Sequence, residues 1–261
     1  MHGALFVAKT GLSAQDTALK VVSNNLANVS TIGFKKDRPV FEDLLYQVRR
    51  QPGAQSAEAS QLPSGLQVGS GVKTVGTQKL FQNGDLEITE ESFDLAINGR
   101  GFFQVTTPNG DVGYTRSGQF HLSADSELVT AEGYLVEPAI TLPTEVTSFT
   151  VGVDGMVTVT TAGNVTGTQI GQLQLADFVN PAGLLAIGQN LYMETPASGA
   201  PAINNPGEAG SGIVKQGALE TSNVNSVEEL VTMITTQRAY EMNSKVISTA
   251  DEMLSYVSQQ L

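Results

Sequence analysis

Two histidines, His2 and His121, and four clustered acids, Glu87, Glu90, Glu91 and Asp94, are the residues whose types best suit acid–base or metal chemistry. A metal site needs further His or Cys at ligand spacing, and neither histidine has such a neighbour. The chain has no cysteine, which excludes disulfides and thiolate metal centres. Two carboxylates could flank a glycosidic bond, but four acids within eight residues of a strand-like region are the ordinary make-up of a solvated face. Gly99-Arg100-Gly101 is a fragment of a Gly-rich loop without the strand-to-helix context that phosphate binding requires. No EF-hand loop, P-loop or nucleophile elbow occurs. The sequence gives an enzyme no residue to rest on, and neither cofactor nor metal is expected.

The elements around these residues carry a different message. Leu5, Leu12, Leu19 and Leu26 recur every seven residues, with Ala8, Val22 and Val29 on the companion positions and Gln15 as a polar exception. Four heptads predict a long amino-terminal helix with a coiled-coil seam. Residues 3–29 as helix would run about 40 Å. Burying its four leucines would contribute at most roughly 6–12 kcal/mol, and only against a matching surface. Gly11 costs about 1 kcal/mol in a helix, which points to close approach of a neighbour.

The last 36 residues supply the matching surface. Ser226 to Leu261 contains no Gly and no Pro. Met233, Tyr240, Ile247, Leu254 and Leu261 recur at intervals of seven, with Ala250 and Val257 on companion positions. Thr236 and Asn243 interrupt the seam. Ser226 with Glu229 three residues on reads as a capping box, and Glu228 and Glu229 suit the positive end of the helix dipole. Two long helices that only partly cover each other would need further copies of the chain.

The formal net charge is −12, divided unevenly. Residues 1–50 hold seven Lys/Arg and four Asp/Glu, and residues 51–261 hold seven and 22. An acidic body disfavours nucleic acid as a partner. No run approaches the 18 or so apolar residues of a membrane span, so membrane insertion is not expected. Lys9, Thr10, Ser13, Gln15 and Asp16 interrupt any signal-peptide core, leaving a cytosolic protein or export without a cleaved signal.

Between the helices the text is mostly β-like. Gly33 suits a left-handed turn near the end of the first helix, and residues 34–39 read as an extended connector ahead of Pro39. Residues 41–48 admit a short helix or a strand. Arg50 to Gly71, rich in Gln, Ala, Ser, Gly and Pro, reads as a flexible linker in a single copy. Its unusual length equally suits an interface element. Leu80 to Ile88, around Asn83-Gly84, predicts a tight hairpin. Strands follow at 93–97, 101–105, 119–122, 127–130 and 134–136. A hairpin at Asp154-Gly155 and strands over 170–178 and 190–194 complete a sandwich or barrel-like β-domain.

Three separated motifs resemble the bacterial flagellar rod and hook axial protein family. The first is Asn24-Asn25-Leu26-Ala27-Asn28-Val29-Ser30-Thr31-Ile32-Gly33-Phe34-Lys35. The second spans Asp94 to Phe103 and continues in Tyr114-Thr115-Arg116-Ser117-Gly118-Gln119-Phe120. The third is centred on Met233 to Glu241 and includes Gln237 and Arg238. The segment Tyr46 to Gly71, with Arg50, Pro52, Gly53, Leu62, Pro63 and Gly65, resembles an insertion typical of the distal-rod group and missing from the usual hook protein. Ser126 departs from the family's Asp-x-Gly-like turn.

The resemblance implies an α+β subunit in three parts. Residues 1–30 and 226–261 would form a coiled coil lining an axial channel. Residues 31–93 and 200–225 would form a small connecting domain, and residues 94–199 an outer β-domain. It implies a helical homopolymer that acts as a drive shaft, with proximal rod proteins, the hook protein, the P and L ring proteins and the flagellar type III export apparatus as partners. It places the chain in the basal body, crossing the periplasm to the outer membrane. The seam residues would be Leu5, Leu12, Leu19, Val22, Leu26, Val29, Met233, Tyr240, Ile247, Leu254 and Val257. The residues at 46–71 would stiffen the shaft. The alternatives are a hook or proximal-rod paralogue, or a non-enzymatic β-domain binding module.

Overall fold

The computed structural model describes residues 2–53, 55–57, 60–61, 64–143, 146–161 and 164–260. The chain forms two compact units, and it enters and leaves the first of them repeatedly. The first unit comprises residues 1–27, 37–79 and 225–261, and the second residues 28–36 and 80–224.

The first unit contains the two long helices, α1 over His2–Ala27 and α2 over Ser226–Gln260. They pack against each other along their lengths. Glu229 near the start of α2 meets Asn25 near the end of α1, and Asn243 meets Gly11, so the two run antiparallel. α1 also packs on an antiparallel ribbon of Asp37–Asp43 and Val72–Lys79.

Two local expectations need correction. Asn225, not Ser226, caps α2: its Oδ1 accepts hydrogen bonds from the backbone N–H groups of Val227 at 3.0 Å and Glu228 at 3.3 Å. Asn is among the strongest N-caps, and Glu229 is engaged with Asn25 instead. The second correction is Val29, which lies beyond Ala27 in a turn and cannot extend the heptad.

The second unit is built from antiparallel strands around two apolar clusters. Its largest sheet runs Phe120–Leu122, Leu128–Thr130, Leu135–Glu137, Phe102–Thr106, Val112–Thr115, Leu191–Met193 and Leu185–Gly188. Leu175–Asp177 pairs with Phe102–Thr106 and with Ala202–Asn204. A meander of Val146–Val151, Met156–Thr161 and Asn164–Gln172 lies beside it in sequence. Successive side chains of a strand point to opposite faces. Phe103 and Val105 accordingly enter the larger cluster, while Phe102 joins Tyr114, Phe178 and Tyr192 in the smaller.

The expected 80–88 hairpin does not form. Leu86–Ile88 pairs instead with Ala218–Glu220. A Cβ on Gly84 would stand 2.0 Å from the carbonyl oxygen of Thr221. The Asn83-Gly84 turn signal thus marks close passage of another strand.

Candidate assembly site

The helix pair buries small and polar residues where the heptads placed large ones. On α1 the buried positions are Ala8, Ala14, Ala18, Val21, Val22 and Asn25. Leu5, Leu12, Leu19 and Leu26 are half-buried on the flank. On α2 the buried positions are Glu229, Thr236 and Ala250, with Met233, Ile247 and Leu254 half-buried and Tyr240 more exposed. Leu261 and the side chain of Val257 lie outside the described residues. The polar slots Thr236 and Asn243 therefore face the partner helix rather than interrupting the contact. Thr236 satisfies its hydroxyl by donating to the Thr232 carbonyl at 2.7 Å. Gly11 makes room for Asn243, whose Nδ2 would stand 3.0 Å from a Cβ added there. That is the close approach its position in the helix suggested.

Asn25 pins this pair to the ribbon. It is 1% exposed, and its amide exchanges two 2.9 Å hydrogen bonds with the backbone of Asp37. The same Nδ2 donates to the Glu229 carboxylate at 3.3 Å. Asp37 in turn pairs with Lys79 at 2.9 Å.

In the second unit the segment after α1 is held by a buried ion triad. Gly33 takes φ +69°, and a Cβ there would stand 2.6 Å from the Ser117 nitrogen, so only glycine fits. Phe34 and Lys35 follow it into the interior. The Lys35 ammonium donates to Glu220 Oε1 and to the Gln82 carbonyl, each at 2.7 Å. Arg116 pairs with Glu220 Oε2 at 3.3 Å, donates to the Gly99 carbonyl at 2.9 Å and lies over the Phe102 ring. Burial pushes the Lys35 ammonium below the usual 10.5, against the pull of Glu220, and lowers Arg116 likewise. Lys36 N–H donates to Asn223 Oδ1, and Asn190 donates to the Ile32 carbonyl. The connector is therefore fixed at both ends and in the middle.

The described residues of the 50–71 stretch, expected as a linker, pair in part into strands. Tyr46–Arg50 pairs antiparallel with Leu66–Gly69, forming an exposed arm of the first unit. Pro52 and Gly53 lie in a turn beyond the first strand, with Gly53 at φ +79°. A Cβ on Gly65 would stand 2.6 Å from the Arg50 carbonyl oxygen. Leu62 and Pro63 lie outside the described residues. Tyr46, Val48, Leu66 and Val68 are about half-exposed. At the base of the arm, Thr10 Oγ1 accepts a hydrogen bond from the Val72 N–H at 3.3 Å. Gly71 there takes φ +114°, and a Cβ would meet Thr10 Oγ1 at 2.2 Å.

Three family profiles match the chain. "Flagella basal body rod protein" covers residues 5–35, "Flagellar hook protein FlgE/F/G D1 domain" residues 96–159, and "Flagellar basal body rod FlgEFG protein C-terminal" residues 215–260. The chain is 53% identical to the flagellar basal-body rod protein FlgG of Buchnera aphidicola subsp. Schizaphis graminum, over 99% of this chain and 100% of that one. It is 46% identical to FlgG of Caulobacter vibrioides over 98% of both. The chain belongs to the flagellar basal-body rod protein family. Bacillus subtilis FlhP, a flagellar hook-basal body complex protein, is similar at 27% identity over 99% of both chains. High identity over the whole length places the chain with the FlgG, distal-rod branch and makes it a structural subunit of the flagellar rod.

Within this rod protein, the first motif marks two clamps rather than one surface: Asn25 in the first unit, and Gly33, Phe34 and Lys35 in the second. Asn28 accepts from the Thr31 hydroxyl, closing the turn after α1. Asn24, Gln237 and Arg238 are exposed. Glu220 escaped sequence reasoning, since its neighbours Leu219, Thr221 and Ser222 give no local sign that it is buried. Arg116 sat inside a quoted motif without a role. Of the acids first suspected of chemistry, Glu87, Glu90 and Glu91 are exposed and only Asp94 is buried. Among the described residues no group of three or more His, Cys, Asp or Glu is arranged to hold a metal. Nor is any helix among them long and apolar enough to cross a membrane.

Proposed function

We propose that this subunit builds the distal rod by helical homopolymerisation, its α1 and α2 pairing as the coiled-coil lining of an axial channel. The observation that carries the reading is the double-sided apolar character of α2. One face packs on α1, while Val227, Leu230, Val231, Ile234, Met242 and Tyr256 on the other are 46% exposed or more. A helix with apolar residues all round belongs in a buried setting, and one copy buries one side. Contacts that are head-to-tail and do not close give filaments.

In this reading the chain has three layers: the helix pair inside, a connecting domain of residues 31–93 and 200–225, and an outer β-domain of residues 94–199. Leu5, Leu12, Leu19 and Leu26, half-buried on the flank of α1, complete their burial against neighbouring copies. The 46–71 arm orders against neighbours and limits sliding between strands of subunits, so that the shaft stays straight. Proximal rod proteins, the hook protein, the P and L rings and the type III export apparatus are its partners, along a path across the periplasm to the outer membrane. Electron microscopy of the purified protein at high concentration tests the reading. Straight tubes are expected, and a protein that stays monodisperse under all polymerising conditions would refute it.

A further inference from the structure

We infer that the start of α2 in one copy seats in a groove at the far end of the helix pair of the next. The groove has a volume of 680 Å³ and is lined by Ala4, Phe6 and Val7 of α1, Val68 at the base of the arm, and Asn243 and Val246 of α2. It continues through Ala4 and Val246 into a second hollow of 450 Å³ walled by Met242, Ala250 and Met253. The walls are mostly apolar, from aliphatic side chains, Phe6 and two methionines, and the charged group lining this pair of hollows is Lys245. Such a groove takes an aliphatic ridge with an acidic flank.

This chain carries one. Val227, Leu230, Val231 and Ile234 are 46–68% exposed. At about 100° per residue they fall on one side of α2, turned away from the α1-facing positions Glu229, Thr236 and Ala250. Glu228 and Glu241 stand beside this ridge, opposite in sign to Lys245, with Arg238 between Ile234 and Glu241, so the flank is acidic by one net charge. Ridge and groove occupy different places on the same unit. Residues 231 and 246 are fifteen positions apart on one helix, about 22 Å. A copy therefore cannot satisfy its own groove. Paired head to tail, two unlike patches on identical chains propagate, whereas two copies pairing reciprocally, 231 on 246 and 246 on 231, would stop at a dimer and would overturn the inference. The second copy is thus the occupant that fits in chemistry, charge and placement. This inference rests on the homopolymer reading and adds to it the contacting residues and their register.

The chain has no cysteine, so engineered thiols report without background. A disulfide needs Cα atoms about 4.4–6.8 Å apart, so V231C and V246C in one chain cannot bridge each other. Polymers of V231C/V246C, oxidised briefly and run on a denaturing gel, should give a ladder well beyond the dimer. V231C alone and V246C alone should stay monomeric. A V231C dimer would mean that ridge meets ridge, and would overturn the register. So would straight tubes of the double variant that yield no ladder, although homopolymerisation itself would survive. Failure of the unsubstituted protein to polymerise at all would remove both.

Discussion

Replacing Glu220 with Gln tests the buried triad most directly. Glu220 and Lys35 have no side-chain exposure and Arg116 has 2%, so one carboxylate answers two cations inside the second unit. Gln keeps the size, and its amide oxygen can still accept from Lys35 and from the Gly84 N–H, which lies 2.9 Å from Oε1 in the unsubstituted protein. The lost quantity is the charge. Leaving buried charge uncompensated costs about 3–5 kcal/mol. For a unit of this size each kcal/mol moves the melting temperature by about 2–4 °C, so a fall of roughly 6–20 °C is expected. Lys35→Met is the control. It removes one of the two cations and leaves Glu220 paired with Arg116. The hydrogen bond to the Gln82 carbonyl is lost, for a cost of about 1–2 kcal/mol. Circular dichroism during thermal and urea unfolding of the monomer measures both. If Lys35→Met destabilises as much as Glu220→Gln, the carboxylate is not the limiting charge and the reasoning fails.

Lys35 also predicts a pH dependence. Its folded-state pKa lies below 10.5, so in the window beneath 10.5 the unfolded chain binds more protons, and this residue makes stability rise with pH. Urea midpoints of the unsubstituted protein should therefore climb relative to Lys35→Met as pH approaches 10.5 from below; parallel curves would contradict the assignment. Leu19→Asp should abolish polymerisation while leaving the unfolding of the second unit unchanged, since Leu19 belongs to the first; normal tubes by electron microscopy would count against the flank leucines. Ser126 holds φ +62° in a turn closed by its N–H to the Ser123 carbonyl; relieving about 1–2 kcal/mol of left-handed strain against about 0.5–1 kcal/mol of glycine entropy, Ser126→Gly should stabilise by about 0.5–1 kcal/mol, and a lower melting temperature would refute the strain argument. Removing residues 46–71 should leave polymers that bend, and deletion tubes as straight as the parent would show that the arm does not stiffen them.

Much of this was legible in the residue order. Seven-residue spacing announced both helices, and the turn residues Asp154-Gly155 marked a real hairpin. The orientation of the helices was not legible. Heptads counted leucines, whereas the helices meet at Gly11 against Asn243 and at Asn25 against Glu229, where a small residue or a polar pair lets them come near. The Asn83-Gly84 signal failed because its neighbour Leu86–Ile88 found a partner some 130 residues away, and local spacing carries no trace of such a pairing. Glu220 was missed for the same reason: its cations sit at positions 35 and 116, and only the fold brings them together. The 50–71 composition of a linker concealed a ribbon, because the alternating stretches Tyr46-Gln47-Val48 and Leu66-Gln67-Val68 are short and lie at its two ends.

The oily outer side of α2 has a consequence for handling before use. A molecule with that much greasy surface is a poor solute: at rising concentration it will either add to a growing end or stick to its kind at random. Ordered growth then depends on keeping the free pool dilute and supplying molecules where a template already waits. Purified stocks should accordingly show a sharp threshold concentration and a lag that seeds of preformed tube remove.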